Sequence, residues 1–187
     1  MGCDKALVQL DGEPLVVHVA DSLAPQCWAL ALNALAELGQ VAGVIGAELI
    51  GEEPFAGMGP LGGIRAGLVW ARTNWPNQTH LLVAPVDMPF LPDDLVERLS
   101  AGLEPDAAAI AAAPDGSLVP VLGLWPLSAL EPVEEVLIGG GGLSVRAALD
   151  RIAWHSVEFP ADALTDIDDP AALEAAEARI AAAQTGP

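Results

Sequence analysis

Short apolar runs alternate with helix-type stretches along the whole chain, and this alternation restricts the fold more than any other property of the sequence. WALALN at 28–33, VAGVIG at 41–46 and HLLVAP at 80–85 read as buried strands, the last most clearly, because brief continuous apolar runs suit strands covered on both faces. AAAIAAAP and LVPVLGLWP flank the Asp115-Gly116 dipeptide and predict a hairpin; AWHSVEF predicts a further strand. Between these runs, residues 14–24 place Leu15, Val19, Ser22 and Leu23 at helical spacing, with Pro14 in a first-turn position. Further helices are predicted over about 61–72, 92–103, 127–138 and 143–152, the last two split by the glycines at 139–142. In the 92–103 segment the leading acids suit a helix N-terminus, and Asp94 is spaced to pair with Arg98. The chain closes on a helix capped by Asp169, with Pro170 in its first turn. Strands separated by helices predict a three-layer α/β domain with a mainly parallel sheet.

At 187 residues the chain has the size of one domain, and no internal repeat or linker divides positions 1–187. Its 26 acidic residues against seven Lys and Arg give a formal net charge of −19, and Lys5 is the single lysine. A field of that sign repels phosphate backbones, so nucleic acid and anionic membranes are expected not to be partners. No run is long and apolar enough for a membrane span, and MGCDKALVQL lacks the pattern of a signal peptide, so a cytoplasmic location is expected. Cys3 and Cys27 are far apart and show no ligand spacing, which predicts reduced thiols.

In an open parallel sheet ligands bind beyond the carboxyl ends of the strands. Three polar features fall there: Asn33 after WALALN, Asp87 after HLLVAP, and Asp166, Asp168 and Asp169 after AWHSVEF and its loop. Carboxylates brought to one place from distant segments suit Mg²⁺, a hard cation that takes oxygen ligands. The plain alternative is that Asp87 caps a turn and Asp169 caps the last helix; we adopt it for Asp169, and read Asp87 and Asp168 as candidate ligands. GMGPLGG ahead of a helix could let backbone N–H groups approach an anion, or be an ordinary turn. His18, His80 and His155 do not cluster, and the five tryptophans lack a base-stacking spacing; packing roles are expected for both sets. The opening is unusual, since sheets of this kind start on a buried strand and this chain starts on the polar turn MGCDK.

DKALVQLDGEPLVVHV, GPLGGIRAGL, PVDMPFLPDDLVERL, PVLGLWPLSAL, LSVRAALDR and DIDDPAALEAAE resemble, in the same order, segments of the molybdenum cofactor guanylyltransferase family. The resemblance runs from Met1 to about Glu177 and implies a Rossmann-like three-layer α/β/α nucleotidyltransferase fold. It also implies transfer of GMP from GTP to molybdopterin cofactor, giving the guanine dinucleotide cofactor and pyrophosphate. By the same resemblance Lys5 and Asn33 meet the nucleotide, Asp87 binds nucleotide and Mg²⁺, and Asp168 stands where many members carry an asparagine next to the metal. Glu52 or Glu53 corresponds to an acid before GPLxG; Gly59 lies in the phosphate-facing loop, and Arg146 corresponds to a contact to the pterin. Lys5 and Asp87 are the expected catalytic pair. The implied partners are GTP and molybdopterin cofactor, with transient contact to molybdoenzyme apoproteins or their chaperones.

Family members begin with a hydrophobic strand and a glycine-rich L-A-G-G loop, and Met1-Gly2 aligns with the end of that loop. The first strand is therefore expected to be absent, leaving a gap at the sheet centre, through a start codon placed too late or a truncated copy. The chain as it stands is expected to bind GTP weakly or not at all. Alternatives are a relative using CTP or a sugar phosphate, and a non-catalytic carrier of molybdopterin whose action is independent of Asp87.

Overall fold

A computed structural model describes residues 5–139 and 144–184; MGCD and the glycines at 140–142 lie outside them. In chain order the elements are β1 (Gln9–Leu10), β2 (Glu13–Pro14), α1 (Leu15–Leu23), β3 (Leu30–Asn33), α2 (Gly39–Val44), β4 (Ala47–Ile50), α3 (Pro60–Asn74) and β5 (His80–Val83). They continue with α4 (Leu95–Ser100), β6 (Ala107–Ala112), β7 (Leu118–Pro126), α5 (Leu130–Gly139), α6 (Val145–Leu149), β8 (Ala153–Glu158) and α7 (Pro170–Gln184).

Four strands form one sheet in the order β5-β7-β6-β8. β7 runs antiparallel to both β5 and β6, and β6 runs parallel to β8, so β5, β6 and β8 share one direction and only β7 is reversed. β3 and β4 pair in parallel as a separate two-stranded sheet. The predicted β6–β7 hairpin forms, with a register shift between Ile110 and Ala111.

Both faces of the larger sheet are covered. Along β6, Ala108 and Ile110 pack with Leu61, Ile64 and Leu68 of α3 and Val133 and Val136 of α5, while Ala109 and Ala111 pack with Val19 of α1 and Leu95 and Leu99 of α4. That two-residue alternation between opposite layers is the strand period, and it makes the domain three-layered. Ile110 is fully buried, which contributes roughly 1.5–3 kcal/mol over leaving it in water.

Three expectations change. VAGVIG is helical: Gly39–Val44 forms α2, Gly46 with φ 66° turns the chain, and the strand is the following AELI of β4. Only Ala42 of α2 is buried, against Leu32 and Leu38, so the run covers the small sheet instead of joining it. Arg98 does not pair with Asp94; it donates to the Glu158 carbonyl and lies 4.1 Å from the Phe159 ring centroid. HLLVAP is a strand, but every residue of β5 is half-buried.

The exposure of β5 follows from the sheet topology. Its one strand neighbour is β7, and its other side faces β3 across a groove of about 1390 Å³ lined by Leu30–Asn33 and His80–Val83. Among the described residues β3 and β5 belong to separate sheets, and residues of both line this groove. α3 spans it, with Gly63 against Asn33 of β3 and Gly67 against Leu81 of β5. At the start of the chain, Asp11 (φ 50°) and Gly12 (φ 83°) close the small β1–β2 hairpin, the Asp-Gly signature of a type I′ turn.

Candidate functional site

Two clusters of polar side chains stand at the groove. The first joins the two ends of the chain. Lys5, at the head of a single 3₁₀ turn (Lys5–Leu7), extends its ammonium to Asp87 Oδ2 at 3.2 Å and to Asp168 Oδ1. The turn is fixed by buried Ala6 and by the Val8 N–H donating to the Lys5 carbonyl at 3.1 Å. Asp87 sits four residues beyond β5, and its carbonyl accepts from the Ile167 N–H at 2.9 Å. Ile167 is fully buried, so this bond and that side chain pin the loop carrying Asp166 and Asp168 beside Asp87. Positions 82 and 163 apart in sequence thereby meet at one ammonium.

Exposure separates the three groups: Asp87 keeps 17% of its side-chain area in solvent, Lys5 43% and Asp168 58%. The hydrogen bond and charge of Lys5 hold the Asp168 carboxyl below the usual aspartate range. Reciprocally, the hydrogen bond to Asp168, against an opposing desolvation, raises the Lys5 ammonium, with Asp87 adding to the rise.

The second cluster lies under the start of α3. Asn33, the last residue of β3, donates through Nδ2 to Glu52 Oε1 at 2.8 Å, and the Gly57 N–H donates to Glu52 Oε2 at 3.2 Å. Glu52 fits there because α3 opposes it with glycine: a Cβ at Gly62 would lie 3.2 Å from Glu52 Oε2, and one at Gly63 only 2.6 Å from Asn33 Nδ2. Gly59 precedes α3 with φ 71°, a left-handed conformation that favours glycine, and Pro60 occupies the first helical turn. The loop is tied down by Arg65, which donates to the Glu53 carbonyl at 3.1 Å, pairs with Glu134 at 2.9 Å, and stacks 5.2 Å from the Phe55 centroid.

Of the residues singled out in sequence, Asn33, Glu52, Gly59 and Asp87 line the groove, and Lys5 and Asp168 are joined to Asp87. Glu53 contributes its carbonyl to Arg65 and does not line the groove. Arg146 stands apart, paired with Asp150 at 3.1 Å and stacked 4.9 Å from the Trp154 centroid. Asp169 caps α7, accepting the Ala172 N–H at 2.8 Å. Asp166, placed by the sequence beyond a strand end, lines the groove; sequence reasoning assigned no role to two contributors, Gly63 and Arg65, which position Asn33 and the Glu52 loop. The glycine pair in GPLGG is the available signal for Gly63. Nothing local in the sequence distinguishes Arg65.

Asp87 and Asp168 offer hard oxygen donors within reach of one cation, which suits Mg²⁺; among the described residues no group of three acidic, histidine or cysteine side chains could hold a metal by itself. Mg²⁺ commonly takes one or two carboxylates and completes its shell with water and substrate phosphates, so a two-carboxylate set fits a metal that arrives with a nucleotide. Among the described residues no helix is long and apolar enough to cross a membrane.

Known proteins are similar to this chain over most of its length. A molybdenum cofactor guanylyltransferase from Rhodopseudomonas palustris (strain BisB5) is 38% identical over 160 residues, covering 85% of this chain and 76% of the relative. One from Rhizobium rhizogenes (strain K84 / ATCC BAA-868) is 32% identical over 196 residues, covering 100% of this chain and 89% of the relative. Among solved structures, molybdopterin-guanine dinucleotide biosynthesis protein A from Archaeoglobus fulgidus superposes with a TM-score of 0.74 at 22% identity, over 97% of this chain and 92% of that one. The 2-C-methyl-D-erythritol 4-phosphate cytidylyltransferase from Thermus thermophilus also reaches 0.74, at 19% identity, over 95% and 94% of the two chains. At such identities the two structures establish the shared nucleotidyltransferase fold. The MobA-like NTP transferase domain matches residues 1–153, and with these relatives it places the chain in the family of MobA-like nucleotidyltransferases.

Proposed function

We propose that this protein transfers GMP from GTP to molybdopterin cofactor, forming the guanine dinucleotide cofactor and releasing pyrophosphate. The observation that carries the proposal is the meeting of Lys5, Asp87 and Asp168 at the end of the groove, in a chain whose relatives are guanylyltransferases. A terminal phosphate oxygen of the cofactor attacks the α-phosphorus of GTP, and the bond from that phosphorus to the oxygen bridging the β-phosphorus breaks. The attacking oxygen is already ionised, so no side chain has to remove a proton. Positioning of two anions and stabilisation of the shifting charge supply the rate.

Each residue has a part in that task. Asp87 and Asp168 hold Mg²⁺, which when bound neutralises triphosphate charge and orients the leaving pyrophosphate. Lys5 acts as a compact point charge on the phosphates. Asn33 gives one Nδ2 hydrogen to Glu52, so its carboxamide oxygen and the second N–H are what it presents to the nucleotide. Gly59 lets the chain enter α3 with backbone N–H groups toward the phosphates, and the helix dipole favours their charge. The cytoplasm, which holds GTP, is where we place the protein, and acceptor molybdoenzymes or their chaperones are its downstream contacts.

The test uses α-³²P-labelled GTP, molybdopterin cofactor and Mg²⁺, with protein in excess so that weak nucleotide binding does not hide the chemistry. Labelled dinucleotide whose formation is lowered by excess unlabelled GTP and not by CTP, and is lost in Asp87→Ala, supports the proposal. Equal competition by CTP points to another nucleotidyltransferase, and cofactor delivery undiminished in Asp87→Ala to a non-catalytic carrier.

A further inference from the structure

All seven basic side chains of this chain can be followed, and six of them are engaged away from Asp87 and Asp168. Arg65 pairs with Glu134, Arg72 with Glu131, Arg146 with Asp150, Arg151 with Glu135 and Arg179 with Asp162, and Arg98 donates to the Glu158 carbonyl. The one base at the two carboxylates is Lys5, and it bonds to an oxygen of each. A divalent ion held by the same residues has to compete for those oxygens, and it meets a like charge that the fixed 3₁₀ turn keeps close by. The ammonium has donors and no acceptor and is 43% exposed, so on leaving the carboxylates it turns to water or to other anionic oxygens, of which a phosphate chain holds it the more strongly.

We propose that Lys5 serves as a built-in counter-ion that occupies the cation place between Asp87 and Asp168, and yields it to a divalent metal most readily when a phosphate chain is there to take the ammonium. It rests on the assignment of these carboxylates as the metal pair. Phosphate then acts twice: it draws Lys5 away, and it supplies oxygens that two carboxylates cannot provide. Metal and phosphate chain therefore bind with positive coupling, and the coupling is reciprocal. A metal ion without phosphate is held weakly, so the site fills with metal and nucleotide together. Lys5 accordingly has a role before any phosphate is bound as well as on it.

Mn²⁺ is the probe, followed by electron paramagnetic resonance of the free ion and by water-proton relaxation of the bound one. The full chain and Lys5→Met are compared, first with Mn²⁺ alone and then with the preformed complex of Mn²⁺ and inorganic triphosphate. The expected result is that Lys5→Met binds bare Mn²⁺ at least tenfold more tightly than the unaltered protein. The unaltered protein in turn prefers the triphosphate complex to the bare ion by at least tenfold, and the variant loses most of that preference. Unchanged or weaker binding of bare Mn²⁺ by Lys5→Met overturns the counter-ion role. If neither protein binds Mn²⁺ in either form, the assignment of the metal pair itself fails, a distinct outcome. Lys5→Gln keeps a polar side chain and replaces Lys5→Met if circular dichroism shows that variant to be unfolded.

Discussion

Replacing Gly63 by alanine puts a methyl group where the Asn33 carboxamide now lies. The new Cβ falls 2.6 Å from Asn33 Nδ2 and 3.6 Å from both Asn33 Cγ and Glu52 Oε1, whereas non-bonded carbon contacts settle near 3.5–4.0 Å. The first of these atoms is the end of a rotatable side chain, so the response is a swing of Asn33 by about 1 Å or more, with α3 left in place. That swing breaks the 2.8 Å bond to Glu52. A bond to a charged acceptor contributes about 1.5–3 kcal/mol when buried, and about 1 kcal/mol at an exposed position such as this one. Alanine within a helix is favoured over glycine by roughly 0.8–1.0 kcal/mol, so the two effects nearly cancel. Gly43 in α2 is the control, because nothing lies within 4 Å of its added Cβ. Gly43→Ala should raise the melting temperature by about 2–4 °C, the shift given by about 1 kcal/mol in a chain of this size, and leave nucleotide binding unchanged. Gly63→Ala should hold the melting temperature within about 1 °C and weaken GTP binding severalfold, since Asn33 is displaced. Thermal denaturation followed by circular dichroism and equilibrium binding of labelled GTP measure both quantities. Equal stabilisation by the two substitutions, with GTP binding unaltered in each, would refute the coupling of Gly63, Asn33 and Glu52.

Arg65→Met removes the ties to the Glu53 carbonyl and Glu134 while keeping much of the contact with Phe55; it should weaken GTP binding and speed amide exchange over residues 51–59, and unchanged exchange there would contradict its tethering role. Gly123→Ala should destabilise the protein by about 1–3 kcal/mol in urea, because its Cβ would lie 2.4 Å from the Ala109 carbonyl oxygen, a backbone atom that cannot turn aside. The Asp168 carboxyl is held low by Lys5, so its share of stability is present above the ordinary aspartate range and fades as pH falls through the lowered value. The Lys5 ammonium is raised, so its share is present below its ordinary 10.5 and fades only as pH climbs past the raised value; ¹³C NMR of the carboxyls should show Asp168 moving up in Lys5→Met. Burial raises the Cys27 thiol, so in a Cys3→Ser background its reaction with a disulfide reagent at pH 8 should be slower than that of a small-molecule thiol.

What could be read from the sequence was the local part. The short apolar run AAAIAA, the turn at Asp115-Gly116 and the cap at Asp169 are local signals, and each produced the expected element. VAGVIG failed because a short apolar run fits a helix that lies on a strand as well as a strand, and only Gly46 and the AELI that follows settle which. β5 has a strand's composition, but its burial depends on neighbours, and β3 lies across an open groove from it. Within the site, Asp87 and Asp168 were visible as acids beyond strand ends. Their shared bond to Lys5 was not, since it rests on the Ile167–Asp87 backbone contact between segments 80 residues apart, a tertiary fact.

The central claim, that this chain transfers GMP with Asp87 at the reacting phosphates despite the weak hold on GTP expected from its sequence, is tested most directly by label transfer in a single turnover. Protein in excess is mixed with α-³²P-labelled GTP, Mg²⁺ and molybdopterin cofactor, and the labelled dinucleotide is resolved and counted for the unaltered chain and for Asp87→Ala. The account predicts label in the dinucleotide, one pyrophosphate released for each, a requirement for Mg²⁺, no loss of signal on adding excess CTP, and no transfer by Asp87→Ala. Absence of labelled product from the unaltered chain, or equal product from Asp87→Ala, would contradict it.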